Sequence, residues 1–193
     1  MMMRRLVMAA VACAVAVAGP LPAAQATDTL PASGRFSFDT ANGILPTWAS
    51  EDIILVGISP GSVVTASSNL TARVSVPIIA KTGTANAAGG GFRLVNTATG
   101  KSVRCANPTI DTRARLVDCI LADGTNATLF RIPDIRTRAR FSGSSTTTTI
   151  FRGVELRING KVQADYLNAE LTTTAFSPYI TVGTGDLIVA RDR

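Results

Sequence analysis

Between Gly89 and Leu121 the chain reads as three short strands in succession, and the last two are bracketed by Cys105 and Cys119. In an oxidising compartment two such cysteines form a bridge, and a bridge of that span ties neighbouring strands into one antiparallel hairpin. Closing a loop across a sequence separation of 14 stabilises a fold by about 3 kcal/mol on the chain-entropy account. There is no Cys-x-x-Cys spacing and no histidine to acidify a thiol, so the bridge is read as structural. With a simple register the hairpin turn centres on Thr112, within Asp111-Thr112-Arg113. Pro108 then falls where a ladder N–H is required, so a bulge or break is expected near Asn107-Pro108.

The third cysteine, Cys13, belongs to a processing segment. Arg4 and Arg5 form a positive start, Leu6 to Ala18 an apolar run, and Ala24-Gln25-Ala26 a small-residue cleavage site. Residues 1–26 are read as a signal peptide, 27–34 as a linker and 35–193 as a single domain. The apolar run is too short to span a hydrocarbon layer of ~30 Å, so no transmembrane segment is expected after cleavage. The protein is expected to be secreted, either extracellular or associated with the cell wall. Leu30-Pro31-Ala32-Ser33-Gly34 looks like a wall-sorting pentapeptide, but it lies at the wrong end of the chain and is read as linker.

Removing the leader, which holds two arginines and no acid, takes the formal charge from +6 to +4. The mature chain is therefore only mildly basic, and no aromatic residue stands between Arg136, Arg138 and Arg140, so nucleic acid is not an expected partner. The sequence contains 0 histidines, which excludes an imidazole base and a histidine-ligated metal. Glu51-Asp52 are adjacent and would point to opposite faces of a strand, while Asp118 and Asp123 read as solvated charges or turn caps. No catalytic residue, metal or cofactor is expected, and the chain is read as not an enzyme.

Period-two alternation dominates from Leu70 onward. Leu70, Ala72, Val74, Val76 and Ile78 share one face of a half-buried strand, and Pro77 places its end at an edge or bulge. Gly89-Gly90-Gly91 lacks a strand-turn-helix context and reads as a turn rather than a phosphate loop. Arg136, Arg138 and Arg140 alternate with Thr137, Ala139 and Phe141 and so form a basic stripe on one face. A Ser/Thr-rich turn follows. Val154, Leu156 and Ile158 then face the core, Asn159-Gly160 signals a two-residue hairpin, and Tyr179 to Ala190 closes the chain as a strand.

Two stretches carry helical character. Leu45, Trp48, Ala49, Ile53 and Val56 fall at helical spacing with Gly57 placed as a C-cap, although Ile53 to Val56 also suits a buried strand. Trp48 is read as a core anchor. Ala164 to Leu171 has good helix formers and little β-branching. The pattern predicts a mostly β protein, an antiparallel β-sandwich with one to three short helices.

Several motifs together carry a resemblance: Gly57-Ile58 before Ser59-Pro60-Gly61, Val76-Pro77-Ile78, Gly90-Gly91-Phe92-Arg93-Leu94, Asn107-Pro108-Thr109-Ile110-Asp111-Thr112, Leu129-Phe130-Arg131-Ile132 and Val182-Gly183-Thr184-Gly185-Asp186. In that order they resemble secreted actinobacterial β-domains similar to the Htaa-type, haem-binding-like modules of the cell envelope. The resemblance implies an exported, non-enzymatic antiparallel β-sandwich. Haem-binding members of that group use tyrosine together with histidine, and this chain offers only Tyr166 and Tyr179.

Two readings of function follow. The first is a non-catalytic envelope domain with a binding or structural role, in which Arg136, Arg138 and Arg140 contact an anionic cell-wall polymer through their paired N–H donors. The alternative is a carrier of a small, haem-like ligand contacted by Tyr166 or Tyr179 in a pocket between sheets.

Overall fold

The computed structural model describes residues 29–66, 68 and 70–192. The segment read as a signal peptide, Cys13 within it, and the first two residues of the segment read as a linker lie outside the described residues. The chain runs β1 (Thr29–Thr40), α1 (Ile44–Ala49), β2 (Ile53–Ile58), β3 (Ser62–Thr65), β4 (Ala72–Thr82), β5 (Ala85–Ala88) and β6 (Gly91–Asn96). It continues through β7 (Ser102–Asp111), β8 (Leu116–Ile120), β9 (Asn126–Arg131), β10 (Ile135–Ser142), β11 (Thr146–Ile158), α2 (Lys161–Leu171) and β12 (Thr181–Asp192).

The expected sandwich is not what forms. The strands run in the order β7-β5-β4-β1-β12-β11-β9-β8, every neighbour antiparallel, and β8 pairs back onto β7, so eight strands close into a barrel. The remaining strands flank it: β6 on β7, β2 on β6, β3 on β4 and β10 on β11. Alternation establishes that a strand such as β4 has one buried face. It is silent on whether such faces meet across two sheets or within one closed sheet, and closure here removes edges that a sandwich would leave open.

The barrel interior follows the alternation. Phe36 and Phe38 on β1, Val74, Val76 and Ile78 on β4, and Val154, Leu156 and Ile158 on β11 are buried in one continuous core with Phe92, Phe130 and Leu187. Ala72 is buried at the start of β4, whereas Leu70, expected on the same face, precedes the strand and is 54% exposed. Neighbouring rings meet at aromatic spacing, Phe38 with Phe92 and Phe92 with Phe130 at 5.9 Å each. β1 begins at Thr29, so most of the segment read as a linker is the barrel's first strand, paired to β4 from Thr29 onward.

Cys105 on β7 and Cys119 on β8 are bonded, with Cα atoms 4.7 Å apart, and both are buried. They are diagonal neighbours. Ala106 faces Ile120 and Thr109 faces Asp118, so Asn107 and Pro108 together oppose Cys119 as a bulge. The bulge stands where the missing proline N–H required it, and it moves the turn to 112–115, downstream of the position expected from a simple register.

Three local readings are corrected. The stretch from Leu45 divides into α1, which buries Trp48 against Phe176, and β2, which takes the apolar run Ile53–Val56; Gly57 lies inside β2. Asn159-Gly160 is no hairpin: Gly160 is the N-cap of α2, because the helix-forming run after it outweighs the turn signal. Thr146–Thr149 belong to β11 instead of a turn, as β-branched residues favour a strand. Gly89 and Gly90 form the bend that leads into β6, which Gly91 begins, and glycine is needed there for a packing reason. A Cβ on Gly90 would lie 2.4 Å from Ile58 O, and one on Gly91 would lie 2.1 Å from Cys105 O, so only glycine lets these backbones meet.

Strand direction gives the barrel two different ends. β11 ends and β12 begins beside α2, which buries Ala164, Leu167 and Leu171 and is tied down where Asn96 Nδ2 donates to Leu171 O at 2.9 Å. At the other end lie the β4–β5 turn, the β7–β8 turn, the start of β11 and the end of β12.

Candidate functional site

At that second end the barrel opens into a cleft of about 540 Å³ lined by Lys81, Arg113, Arg115, Arg138, Arg140 and Arg191 together with threonines and a few apolar side chains. No acid lines it. The six cations of this one cleft equal the formal net charge of +6 of the whole sequence. A volume of this size falls within the range of small-ligand sites.

Each cation arrives there for a local reason. On β10, Arg138 lies opposite Phe151 and Arg140 opposite Thr149, so both arginines share the face of β11 that carries buried Phe151 and, beside Thr149 on β12, buried Val189. The Arg138 guanidinium lies over the Phe151 ring, 5.3 Å from its centroid. Arg191 pairs in register with Thr147 across β11–β12. Arg115, at positive φ in the β7–β8 turn, donates from Nη1 to Pro133 O at 2.8 Å, which fixes where its fork points. Lys81 donates to Asn86 Oδ1 at 3.4 Å.

Asp111 holds the wall of the cleft together, and its carboxylate offsets the cleft charge only in part, through its interactions with Lys81 and Arg113. Its Oδ1 accepts from Arg113 N, Ala114 N and Thr84 Oγ1 at 2.8–2.9 Å, which ties the β7–β8 turn to the β4–β5 turn. Burial raises its pKa, but the N–H donors of Ala114 and Arg113 and the Thr84 hydroxyl outweigh this and leave it lowered. Among the described residues the ion pairs are Arg73–Asp39, Arg157–Glu155 and Lys161–Asp165, and none involves a cleft cation. The Lys81 pKa is lowered, first by burial and then by Arg191, Arg138 and Arg140, with Asp111 opposing. Its ammonium thus stands in a field of like charge.

Arg136 has a different position. Its side chain lies along Gly153, where a Cβ would come within 2.7 Å of Arg136 Cδ, and it is not part of the cleft lining. Two of the three stripe arginines therefore meet cations from distant strands and the third does not.

The two tyrosines are not brought together. Tyr166 on α2 borders a small apolar hollow of about 190 Å³ with Leu121, Ala127, Leu129 and Val162. Its pKa is raised by burial and then by Glu170 and Asp123, which keeps it a neutral phenol. Tyr179 is 52% exposed, with the Arg131 guanidinium 4.6 Å above its ring. Three of the four acids weighed for catalysis have structural partners: Glu51 accepts from the hydroxyls of Thr173 and Thr174, Asp118 from the Thr128 hydroxyl, and Asp123 from the Thr125 amide and hydroxyl.

No helix among the described residues is long and apolar enough to cross a membrane, and no group of His, Cys, Asp or Glu there could hold a metal ion. Reasoning from sequence missed Lys81, Arg113, Arg115 and Arg191 as members of one site. A signal was present in their position, since each lies in or beside a predicted turn or strand end, but nothing in linear order places those ends side by side.

No known protein-family model matches this chain. No curated protein matches it either. Among solved structures, the crystal structure of haem-binding protein HtaB from Corynebacterium glutamicum is similar at 10% identity and a TM-score of 0.48, covering 86% of this chain and 96% of that one.

Proposed function

We propose that the protein is an exported, non-catalytic binding protein of the cell envelope whose ligand is a multiply charged anion taken into the cleft at the open end of the barrel. The observation that carries this reading is the convergence of six cations on a cleft with no acid in its lining and no ion pair to any of them among the described residues. Like charges gathered with only Asp111 in partial opposition repel one another, and a bound anion relieves that repulsion while arginine forks give it direction. Export is supported by the leader pattern and the buried disulfide. A non-catalytic role is supported by the absence of histidine from the sequence and by the structural partners of the acids.

An anionic polymer of the wall is the partner class proposed, with Arg138 and Arg140 as contacts and Arg136 left out because it lies along Gly153. The test is retention on purified cell wall of wild type and of the combined variant Arg138→Ser, Arg140→Ser, Arg191→Ser, with circular dichroism to establish that the variant is folded. Wild-type retention should fall steeply between low salt and 1 M salt, where charges are screened beyond about 3 Å. The variant should be retained several-fold less at low salt. Equal retention of both proteins at every salt concentration would sink the reading.

A further inference from the structure

We propose that the cleft is built for a condensed phosphate: a diphosphate or longer phosphate chain, bound end-on. This rests on the reading above that the cleft takes a multiply charged anion, and it puts a compact ligand in the cleft in place of a wall polymer. Charge density is the first argument. Six cations surround about 540 Å³, and the ligand must supply several negative charges inside that space. Carboxylates or phosphodiesters along a sugar or polyol polymer are kept apart by at least one intervening unit. Phosphates in a condensed chain share a bridging oxygen and pack their charges far more closely.

Donor chemistry is the second argument. Five of the six cations are arginines, whose planar forks engage phosphate oxygens bidentately, and Thr112 and Thr149 add neutral hydroxyls to the same lining. The third argument is enclosure. The β4–β5 turn with Gly83 and Thr84, the β7–β8 turn with Thr112 and Arg113, and β10 with Arg138 and Arg140 wall the cleft from three directions around the barrel end. Asp111 fastens the first two walls together. A long polymer lying across the surface would meet one wall at a time, whereas a compact chain end meets all three. Arg138, stacked on Phe151, and Arg115, held by Pro133 O, are already ordered for such a ligand.

The test is calorimetric titration of the purified protein at fixed ionic strength with tripolyphosphate, orthophosphate, citrate and a soluble prenyl diphosphate. We expect one tripolyphosphate per chain, bound at least tenfold more tightly than orthophosphate or citrate. Arg138→Gln with Arg140→Gln should weaken binding at least tenfold, while Arg136→Gln should leave it unchanged. Tighter binding of tripolyphosphate than of the prenyl diphosphate identifies a free phosphate chain, and the reverse order a lipid-linked diphosphate; either supports the class. Citrate binding as tightly as tripolyphosphate overturns the condensed-phosphate assignment and leaves the anion-binding reading standing. If no anion in the series binds, both fail.

Discussion

The guanidinium of Arg138 lies over the ring of Phe151 at 5.3 Å, and the two residues face each other across the β10–β11 pair. Phe151 is buried at the barrel's open end, so the contact joins the apolar interior to the cationic cleft. An arginine stacked on a ring loses rotamer freedom before ligand arrives, which lowers the entropic cost of binding.

Phe151→Leu keeps most of the apolar volume and removes the stacking face. Affinity for tripolyphosphate should fall about two- to fivefold, in line with a cation–π contribution of about 0.5–1 kcal/mol. Stability should fall by about 1 kcal/mol, as for a near-isosteric core change. Calorimetric titration and urea unfolding on one preparation check both. Unchanged affinity would show that the ring does not order Arg138.

Occupancy of the cleft should raise thermal stability. At a ligand concentration of 100 times Kd the native state gains about 2.7 kcal/mol, which for a chain of this length is a rise in Tm of roughly 5–11 °C. Differential scanning calorimetry with and without tripolyphosphate at constant ionic strength measures it. In Arg138→Gln with Arg140→Gln, where binding is at least tenfold weaker, the same ligand concentration should leave no more than about 1.4 kcal/mol, half the wild-type shift.

Lys81 makes stability depend on pH at the alkaline side. Its folded pKa is lowered by burial and then by Arg191, Arg138 and Arg140, against Asp111. Between that lowered value and the ordinary lysine value of 10.5 the unfolded chain binds more protons than the folded one, so stability rises with pH across this window. Below the window the charged ammonium is a fixed cost. Lys81→Gln should therefore raise Tm slightly at neutral pH and flatten the alkaline slope, read from melts between pH 7 and 10.5. Anion binding should take up protons in the same window and weaken as pH rises through it.

Gly91 and Gly100 both have positive φ but differ in their neighbours. A Cβ on Gly91 would stand 2.1 Å from Cys105 O, while one on Gly100 meets nothing within 4 Å. Gly100→Ala should cost about 1 kcal/mol from backbone strain alone, and Gly91→Ala about 3 kcal/mol or more because strand β7 must move as well. Urea midpoints of the two variants make the comparison, and similar values would contradict it.

The disulfide is buried at the bulge between β7 and β8. Replacing Cys105 and Cys119 together by alanine should lower stability by about 3 kcal/mol. That corresponds to a fall in Tm of roughly 6–12 °C. Calorimetry of the double variant tests it.

What could be read in linear order was whatever depends on a residue and its near neighbours. The inward set Ala72, Val74, Val76 and Ile78 follows from alternation, α2 from its run of helix formers, the Asn107-Pro108 bulge from a missing N–H, and the exclusion of imidazole chemistry from composition. Local signals failed where two of them competed. Asn159-Gly160 reads as a turn until the helix behind it is weighed, and a Ser/Thr-rich stretch reads as a loop until β12 is there to pair with it.

Closure of the barrel and assembly of the cleft were decided by tertiary structure alone. The first strand pairs with the last, Ser33 with Ala190, and no periodicity within either strand names its partner. A sandwich and a barrel demand the same alternation, so only the long-range pairing energy separates them. The cleft cations are scattered from Lys81 to Arg191, and as a sequence they are isolated charges of a mildly basic chain. They become one site because antiparallel strands bring the β4–β5 turn, the β7–β8 turn, β10 and the end of β12 to the same rim of the barrel, where Coulomb repulsion among them leaves a place that a polyanion fills.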